Sequence, residues 1–428
     1  MIAFGMTGAM FALLFAGMPI AIALMAVGVL GLYLIGGSGL MLGILDTAPL
    51  SSVSSYELIT IPMFVLMAEF IVIAGIADDL FKAAAIWTGR VRGGLAIATA
   101  VVGAMFGAVC GSSAASAATL SATTVPAMQR HGYEPKFTCG VVAISGTLAM
   151  LIPPSIMVLI YAIIAETNIG KLIVATIVPS IIITITIVLT ILVLIWLDPS
   201  RAPPGAPSTW SQKIRALGVA GPMFLLLTLV SGVIYLGVAT PTEASGLGAA
   251  GALAIAVAYR RITPRLVLKA LLDTAGTTAM IMLIILSSKV FGYFFTVTQT
   301  TQSLVAYVGG LDVPPYVILI IVLFMYFVLG ALMDELAMLI LTVPIVLPVM
   351  VKIGYDPIFF GVIVILMCEI GLLTPPLGLI SFIVAKYTKR PVEEVFSGVW
   401  PHVWAHLIAI ALMCVFPQLI LWLPSQMD

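Results

Sequence analysis

The chain has 428 residues, of which 62% are hydrophobic and only 8% are charged, and its 18 basic and 18 acidic residues cancel. A water-soluble domain needs far more polar surface than this, so the composition predicts an all-α polytopic membrane protein. Zero net charge argues against nucleic acid as a partner, because contacts to phosphates require an excess of positive charge. The four cysteines lack the CxxC spacing of a metal site and are interpreted as packing residues.

Six apolar tracts are predicted in the first part of the chain, at 2–16, 19–36, 57–76, 94–128, 137–165 and 173–197. The fourth tract is interrupted by the small and polar stretch CGSSAAS, and the fifth by a double proline. The arms on either side of these breaks are about 11–17 residues long, too short for a hydrocarbon core about 30 Å thick. The two tracts are therefore predicted to be a re-entrant hairpin (94–128) and a broken helix (137–165).

The same order of elements recurs in the second part, with apolar tracts at 217–236, 243–258, 274–297, 316–350, 357–385 and 399–423. GYEP at 132–135 returns as GYDP at 354–357, and Pro153-Pro154 returns as Pro375-Pro376, both at an offset of 222. This offset predicts two copies of one unit, residues 1–197 and 216–428, joined by a polar linker at 198–215. Hairpin 2 is expected at about 316–350, and the second broken helix at about 357–385.

Charge predicts how the two copies lie in the membrane. If hairpin 1 enters from the cytoplasm and the spans alternate, 15 of the 18 Lys and Arg residues fall on the cytoplasmic side. Lys171 and Lys352 then lie outside, and Lys289 lies within a span. By the positive-inside rule the repeats have inverted topology, with a cytoplasmic linker and both termini periplasmic.

The stretch CGSSAAS is predicted to be the tip of hairpin 1, halfway into the membrane. Non-helical backbone at this depth is tolerated where it lines a cavity or is buried in protein, and breaks at matching positions of inverted repeats indicate a transport site. Gly111 permits the turn, and Ser112, Ser113 and Ser116 supply hydroxyl oxygens. The alternative is a close-packing face of small residues between membrane helices.

The matching tip of hairpin 2 differs in chemistry, because Ser112 and Ser113 correspond to Asp334 and Glu335. Acidic residues in an apolar hairpin are costly and usually functional. Two interpretations stay open: the pair binds a cation, or it points into a water-filled vestibule as a solvated tip.

Six stretches together resemble a known family: IPMFVLMAEF, FGAVCGSSAASAAT, GYEPKF, GTLAMLIPPSI, TPTEA and GLLTPPLG. They are similar to the large membrane subunit of TRAP (tripartite ATP-independent periplasmic) transporters. The resemblance implies an elevator-type, Na⁺-driven permease that imports an organic acid, either a carboxylate or a zwitterion, across the bacterial inner membrane. It also implies a periplasmic substrate-binding protein and a small four-helix membrane subunit as partners, and no enzymatic activity and no cofactor besides Na⁺.

The resemblance also implies site residues at the tips and proline breaks. The expected sodium-binding residues are Gly111, Ser112, Ser113, Gly146, Thr147, Pro153, Gly330, Asp334, Gly371, Thr374 and Pro375. The expected substrate-binding residues are Ser113, Ser116, Pro154, Ser155, Glu335 and Pro376. The sequence does not distinguish between C4-dicarboxylates, sialic acid, keto acids and ectoine as the substrate.

Other charged residues receive mostly structural interpretations. Lys289 is expected to form a buried ion pair with Glu69 between scaffold helices, with substrate attraction or snorkelling as alternatives. Glu243 is expected to stabilise a helix start. Residues 78–92 alternate charged and apolar side chains, which predicts an amphipathic helix along the cytoplasmic interface.

Alternating access is predicted to move one rigid block, made of the two hairpins and the two double-proline helices. The first three spans of each copy, with the helix at 78–92, form the scaffold that holds the small subunit. Ten crossings and two hairpins use all 428 residues, so the small subunit is expected to be a separate chain.

Competing functions come from three other classes. An intramembrane protease requires a histidine base at membrane depth, whereas His131, His402 and His406 are expected in a loop and near a cytoplasmic helix start. A channel requires a ring-forming filter, which nothing here resembles. A stand-alone divalent-anion/sodium symporter without a binding protein is the main alternative.

Overall fold

The computed structural model describes residues 2–205, 208–310 and 312–427, and every regular element within those ranges is helical. The all-α fold expected from composition is therefore confirmed. Residues 206 and 207 of the predicted linker at 198–215, and the two terminal residues, lie outside the described ranges.

In the described ranges, ten α-helices precede the linker: α1 (Ile2–Phe15), α2 (Ile20–Val53), α3 (Thr60–Ile73), α4 (Ile76–Thr88), α5 (Gly94–Cys110), α6 (Ser113–Arg130), α7 (Pro135–Thr147), α8 (Ile156–Ile164), α9 (Ile169–Ala175) and α10 (Ile177–Leu197). The α2 helix is interrupted at Gly37, where φ is 66° and ψ is −165°. The tract predicted as hairpin 1 consists of α5 and α6, and the tract predicted as the first broken helix consists of α7 and α8.

A second set of ten helices follows in the part of the chain that the structure describes: α11 (Trp210–Tyr235), α12 (Pro241–Ala258), α13 (Pro264–Val297), α14 (Thr300–Gly309), α15 (Pro315–Leu332), α16 (Glu335–Lys352), α17 (Pro357–Gly371), α18 (Leu379–Thr388), α19 (Val392–Val415) and α20 (Gln418–Leu421). The tract predicted as hairpin 2 consists of α15 and α16, and the second broken tract consists of α17 and α18.

Helix boundaries recur at the offset of the proline pattern. The α6 helix spans 113–130 and α16 spans 335–352, so both ends are shifted by 222 residues. The α7 and α17 helices begin at Pro135 and Pro357, again 222 residues apart. The peptide bonds Pro153–Pro154 and Pro375–Pro376 are both cis. The orientation of the two halves in a membrane stays a prediction.

Prolines and capping residues set where several of these helices start. Proline occupies the first turn of α7, α12, α15 and α17, where its missing N–H is not needed. At α12, Glu243 Oε2 accepts a hydrogen bond from the Thr240 N–H at 2.8 Å, and Thr240 Oγ1 accepts one from the Glu243 N–H at 3.3 Å. This reciprocal capping box confirms the structural interpretation of Glu243.

The early helices of the two halves pack on one another. The α2 helix lies along α13, and α3 lies along α12. Gly31 permits the closest approach, because a Cβ there would lie 2.5 Å from Cδ2 of Phe294. The hydroxyls of Thr60 and Thr242 are 2.9 Å apart, in hydrogen-bond contact between α3 and α12. The helices predicted to form the scaffold therefore contact each other directly.

The two helices that lead into the double prolines lie at the centre of the molecule. Residues 137–151, on and after α7, and residues 359–374, on and after α17, are all buried. The α5, α6 and α19 helices pack against α7, while α15, α16 and α19 pack against α17. Gly140 and Gly398 bring α7 and α19 together, because a Cβ on Gly140 would meet the Gly398 backbone. The predicted transport elements thus form the interior of the fold.

Seven helical segments among the described residues are long and apolar enough to cross a membrane, or eight if the bent α11 counts as one span. A multi-pass membrane protein is therefore confirmed. One detail differs from the expectation: α15 and α16 have 18 residues each and count among the seven. The two arms of hairpin 2 are therefore longer than the sequence indicated. The hairpin is identified by the extended residues between α15 and α16 and not by the length of its arms.

The predicted amphipathic segment at 78–92 forms α4, which ends at Thr88, before Arg90 and Arg92. Leu80 and Phe81 are buried against neighbouring helices, whereas Lys82 is exposed. The amphipathic character of α4 is therefore confirmed. The location of α4 at the cytoplasmic interface stays a prediction.

Candidate functional site

The tip of hairpin 1 is a sharp change of backbone direction between α5 and α6. Gly111 ends α5 with a left-handed φ of 60°, a conformation that favours glycine. Ser112 is extended and caps α6, accepting a hydrogen bond from the Ala115 N–H at 3.4 Å. Ser113 and Ser116 follow on α6 and are both fully buried. Gly111 thus makes the turn that the sequence analysis assigned to it.

The tip of hairpin 1 lies against the break of the first double-proline helix. A Cβ at Gly111 would lie 3.0 Å from Cγ1 of Ile156, the first residue of α8. Ser155 caps α8, accepting from the Met157 N–H at 3.2 Å. Farther along, a Cβ at Gly146 would lie 2.7 Å from Cα of Ala117 on α6. The structure therefore brings together the expected residues of hairpin 1 and of the region around Pro153 and Pro154.

The tip of hairpin 2 has a similarly capped helix start, but Met333, at the position equivalent to Gly111, is extended (φ −144°) and not left-handed. Asp334 caps α16, with Oδ1 accepting from the Leu336 N–H at 2.7 Å. Gly330 and Gly371 are packed so closely that a Cβ on Gly371 would lie 2.7 Å from Cα of Gly330. The expected residues at this tip are thus adjacent to the helix that leads into Pro375.

The loop around Pro375 and Pro376 also contacts hairpin 2. The Leu377 N–H donates a hydrogen bond to the Ala331 carbonyl at 3.1 Å. Thr374 is buried, and its hydroxyl donates to the Gly371 carbonyl at 3.0 Å. Each hairpin tip is therefore attached to the proline break of its own half.

One hydrogen bond joins the two tips. Ser113 Oγ donates to Glu335 Oε2 at 2.7 Å, and these two residues are 222 positions apart. Ser113 is fully buried, whereas Glu335 is partly exposed. The structure thus places side chains from both halves in one polar cluster, as expected for Ser113 and Glu335.

A second bond of the same kind involves Glu369, a residue that the sequence analysis did not select. Glu369 lies within α17 and is fully buried, and its Oε1 is 2.8 Å from Oγ1 of Thr147. Thr147 and Glu369 are also 222 positions apart. The signal that reveals Glu369 is this offset from Thr147, which was already among the expected sodium ligands.

These two contacts bear on the predicted repeat, because each joins residues 222 positions apart. A rotation that exchanges two halves leaves only points on its axis unmoved. Residues that touch their own equivalents must therefore lie beside that axis, and both Ser113–Glu335 and Thr147–Glu369 satisfy this condition. Under the predicted two-fold repeat, the axis would therefore pass beside both contacts.

The polar cluster of Ser113, Thr147, Glu335 and Glu369 presents oxygen ligands only. Within the described ranges, no group of three or more His, Cys, Asp or Glu residues is close enough to hold a metal ion. Its oxygen atoms are hydroxyls, carboxylates and backbone carbonyls, the ligand types that hard cations prefer. Two buried oxygens, Ser116 Oγ and Glu369 Oε2, have no hydrogen-bond partner among the described residues. These free oxygens fit a site that takes an ion or a polar ligand.

The predicted ion pair between Lys289 and Glu69 is wrong. Lys289 Nζ is 2.7 Å from Glu166 Oε1 instead, so the pair joins α13 to the residues just after α8. Both side chains are exposed, at 39% and 75%, so the pair is not the buried one that was expected. The pair lies at a cavity of about 1010 Å³ between α13 and α14 on one side and α8 and α16 on the other.

The histidines do not support a protease. His402 and His406 lie well inside α19 and are fully buried, which corrects their expected position near a helix start. Both ring nitrogens of His402 lack a hydrogen-bond partner among the described residues. The Nδ1 atoms of His131 and His406 contact backbone carbonyls, at 2.8 Å and 3.0 Å. No serine–histidine hydrogen bond occurs in the described part of the chain.

Comparison with known families decides the class of protein. Residues 7–419 match the family described as "Tripartite ATP-independent periplasmic transporter, DctM component". The chain belongs to this family. The resemblance inferred from the motifs is thereby confirmed, and the protein is a membrane transporter subunit.

Curated relatives from this family are named as large permease proteins. The "C4-dicarboxylate TRAP transporter large permease protein DctM" of Pseudomonas aeruginosa is 32% identical over 86% of this chain and 86% of its own length. The "Sialic acid TRAP transporter large permease protein SiaM" of Vibrio cholerae is 30% identical, with 96% of each chain covered. The "Ectoine TRAP transporter large permease protein TeaC" of Halomonas elongata is 29% identical, with 98% of each covered.

A solved structure shares the fold. The YdaH transporter of Alcanivorax borkumensis superposes with a TM-score of 0.65, covering 94% of this chain and 98% of that one at 14% sequence identity. At this identity the likeness concerns the fold alone.

Proposed function

We propose that this DctM-family protein is the permease subunit of a Na⁺-coupled secondary importer of an organic acid. The observation that supports the proposal is the polar cluster in which residues of the two halves contact each other, formed at broken helices inside an otherwise apolar protein. Broken elements at matching positions of two repeats form the binding sites of secondary transporters. The family membership supports the same conclusion.

Sodium would bind beside the two tips. Around tip 1 the oxygen donors belong to Gly111, Ser112, Ser113, Gly146, Thr147 and Pro153, and around tip 2 to Gly330, Asp334, Gly371, Thr374 and Pro375. Helix ends and extended residues leave backbone carbonyls without intrahelical partners, and such carbonyls can ligate Na⁺. Coupling to Na⁺ uses an ion gradient as the energy source for import.

The substrate would bind between the tips, in contact with Ser113, Ser116, Pro154, Ser155, Glu335 and Pro376. Relatives are named for C4-dicarboxylates, sialic acid and ectoine, which are all organic acids or zwitterions. Their common chemistry supports an organic acid as the substrate class of this chain.

Two partners follow from the tripartite organisation of the family. A periplasmic binding protein delivers the substrate, and a small four-helix membrane subunit packs against the scaffold. The assembly belongs in the bacterial inner membrane, with both termini of this chain on the periplasmic side.

Transport would proceed by an elevator movement of the central block against the scaffold. The cavity between α13–α14 and α8–α16 separates parts assigned to scaffold and block. The Lys289–Glu166 contact bridges the same two parts, and an exposed pair of this kind is easily broken. A moving block carries the site intact between the two sides of the membrane.

Crosslinking tests the movement. Cysteines replacing Glu166 and Lys289, joined by a flexible bifunctional thiol reagent, should abolish uptake, and a cleavable reagent should allow recovery. A control link within the block, between cysteines replacing Leu95 and Tyr133, whose backbone N–H and hydroxyl oxygen are 3.2 Å apart, should leave uptake intact. Full uptake with the block tied to the scaffold would refute the elevator.

The main alternative is a stand-alone divalent-anion/sodium symporter. Reconstitution of this chain with its small subunit, with and without the binding protein, separates the two functions. We expect substrate uptake down an inward Na⁺ gradient only when the binding protein is present. Equal uptake without it would establish the stand-alone symporter.

A further inference from the structure

The central block carries an unequal distribution of charge. Its eight helices, α5–α8 and α15–α18, contain Lys or Arg only near their ends, at Arg130, Lys136, Lys352 and Lys386. All four of these basic side chains are exposed. Asp334, Glu335 and Glu369, by contrast, lie at the tip of hairpin 2 and in the buried centre.

The three carboxyl groups have no basic partner within the described residues. None of them takes part in an ion pair there. Glu335 accepts a hydrogen bond from Ser113. Glu369 accepts one from Thr147, so the partners that both carboxyl groups have are neutral hydroxyls. Sodium bound under the proposed function offsets part of the negative charge of the carboxyl groups, whereas a dianionic substrate would add to it in a poorly solvated interior, where charges interact strongly.

A second observation is an unpartnered hydroxyl on the same helix as Ser113. Ser116 Oγ is fully buried and has no hydrogen-bond partner in the described part of the chain. Ser116 lies one helical turn after Ser113, so the two share a face of α6, and Ser113 contacts Glu335. A hydroxyl that can donate therefore lies on the same side of α6 as a carboxylate that can only accept.

We propose that the substrate of this permease is a zwitterion, and that Glu335 binds its positively charged nitrogen group. The Ser116 hydroxyl donates a hydrogen bond to the carboxylate or sulfonate at the other end of the substrate, while Ser113 keeps its single proton on Glu335 and orients that carboxylate. Glu335 is suited to this role because it is partly exposed, whereas Glu369 is fully buried. This inference rests on the proposed transport function and specifies its substrate class.

The first arm of the test identifies the substrate. The binding protein of the same system is purified without added ligand, its bound compound is identified by mass spectrometry, and uptake of that compound is measured with the reconstituted complex. We expect a compound that carries a cationic nitrogen. A transported dicarboxylate, or a hydroxy acid without such a nitrogen, would overturn the inference.

The second arm tests Glu335 directly. Glu335→Gln should raise KM for the identified substrate at least tenfold, while the half-saturating Na⁺ concentration changes less than twofold. Glu335→Asp should retain most of the affinity, and Glu393→Gln, an exposed carboxylate at the start of α19, is the matched control. Equal thermal unfolding of the variants in detergent establishes that they fold, and an unchanged KM in Glu335→Gln would also overturn the inference.

The two proposals fail in different ways. Uptake that does not depend on Na⁺ would refute sodium coupling. The charge of the identified substrate would still test the zwitterion proposal. A substrate without a cationic nitrogen would refute the zwitterion while leaving sodium coupling in place. Taurine and isethionate, which differ only in an ammonium and a hydroxyl group, provide a matched pair of competitors. We expect taurine to compete better than isethionate, and the reverse order would contradict a role for the cation.

Discussion

The tips of the two hairpins share a capped helix start but differ in the residue before it and in side-chain chemistry. Gly111 is left-handed at φ 60°, whereas Met333, 222 residues later, is extended at φ −144°. Ser112 caps α6 and Asp334 caps α16, at positions 222 residues apart, so the capping role is the same in both halves. The next residues, Ser113 and Glu335, hydrogen-bond to each other. The repeated backbone provides two similar helix starts, while the side chains make one tip neutral and the other acidic. Function can therefore differ between the tips without any change of fold.

Replacement of a glycine at the helix contact of one half should have the largest effect on stability. A Cβ on Gly371 would lie 2.7 Å from Cα of Gly330, whereas its equivalent in the first half is already an alanine, Ala149. We expect Gly371→Ala to lower the free energy of unfolding by about 1–3 kcal/mol, because the backbones must separate. Thermal unfolding of the purified protein in detergent measures this change.

The matched change in the first half is Ala149→Gly, which removes a methyl group and creates no clash. We expect it to destabilise by about 1 kcal/mol or less. If Gly371→Ala and Ala149→Gly lowered the free energy of unfolding equally, the close backbone contact at Gly371 would not explain the effect.

Removal of the charge at tip 2 should have the next largest effect, this time on sodium. Asp334→Asn keeps an oxygen that can cap α16 but removes the negative charge. We expect the half-saturating Na⁺ concentration for uptake to rise by about 5- to 30-fold, equivalent to about 1–2 kcal/mol. Ser112→Ala, at the equivalent position, should raise it by about fivefold or less, since a neutral ligand is lost. A larger effect from Ser112→Ala would reverse the assignment of the two tips.

The Thr147–Glu369 and Ser113–Glu335 contacts should contribute differently to stability. Both contributions should be smaller than the effects described above. Thr147→Val leaves the fully buried Glu369 without a hydrogen-bond partner among the described residues, so we expect a loss of about 1 kcal/mol. Ser113→Ala should cost less than about 0.5 kcal/mol, because Glu335 is partly exposed and can be hydrated. Melting temperatures of the two variants provide the comparison.

A double substitution controls for this interpretation. Thr147→Val combined with Glu369→Leu should recover much of the lost stability, because the unpaired buried carboxyl group is removed. A double variant that is less stable than Thr147→Val alone would show that Glu369 contributes contacts beyond those described.

Much of this architecture could be predicted from the sequence because it depends on prolines, glycines and capping residues. The broken tracts, the offset of 222 and the turn at Gly111 all follow from residues with strong local preferences. The sequence indicated that the hairpin tips and the proline breaks belong to one site, but it did not indicate which of their atoms are in contact. Their geometry depends on how the helices pack in three dimensions.

The residues that the sequence analysis missed show what local patterns do not contain. Glu369 was overlooked because a single acid in an apolar run has no partner nearby in the sequence, whereas Thr147 lies 222 residues away. The Glu69–Lys289 prediction failed because it rested on the offset of 222, which pairs Glu69 with residue 291, two positions from Lys289. Positions that correspond by this offset need not be neighbours. Ser113 and Glu335 do contact each other, whereas Lys289 pairs with Glu166.

Sodium dependence of uptake is the most direct test of the central claim. The complex of this chain, its small subunit and its binding protein is reconstituted into proteoliposomes, and substrate accumulation is measured with an inward gradient of Na⁺ or of choline at equal ionic strength. We predict accumulation with Na⁺ and none above the background of empty liposomes with choline. Equal accumulation with the two cations would contradict a sodium site at the hairpin tips.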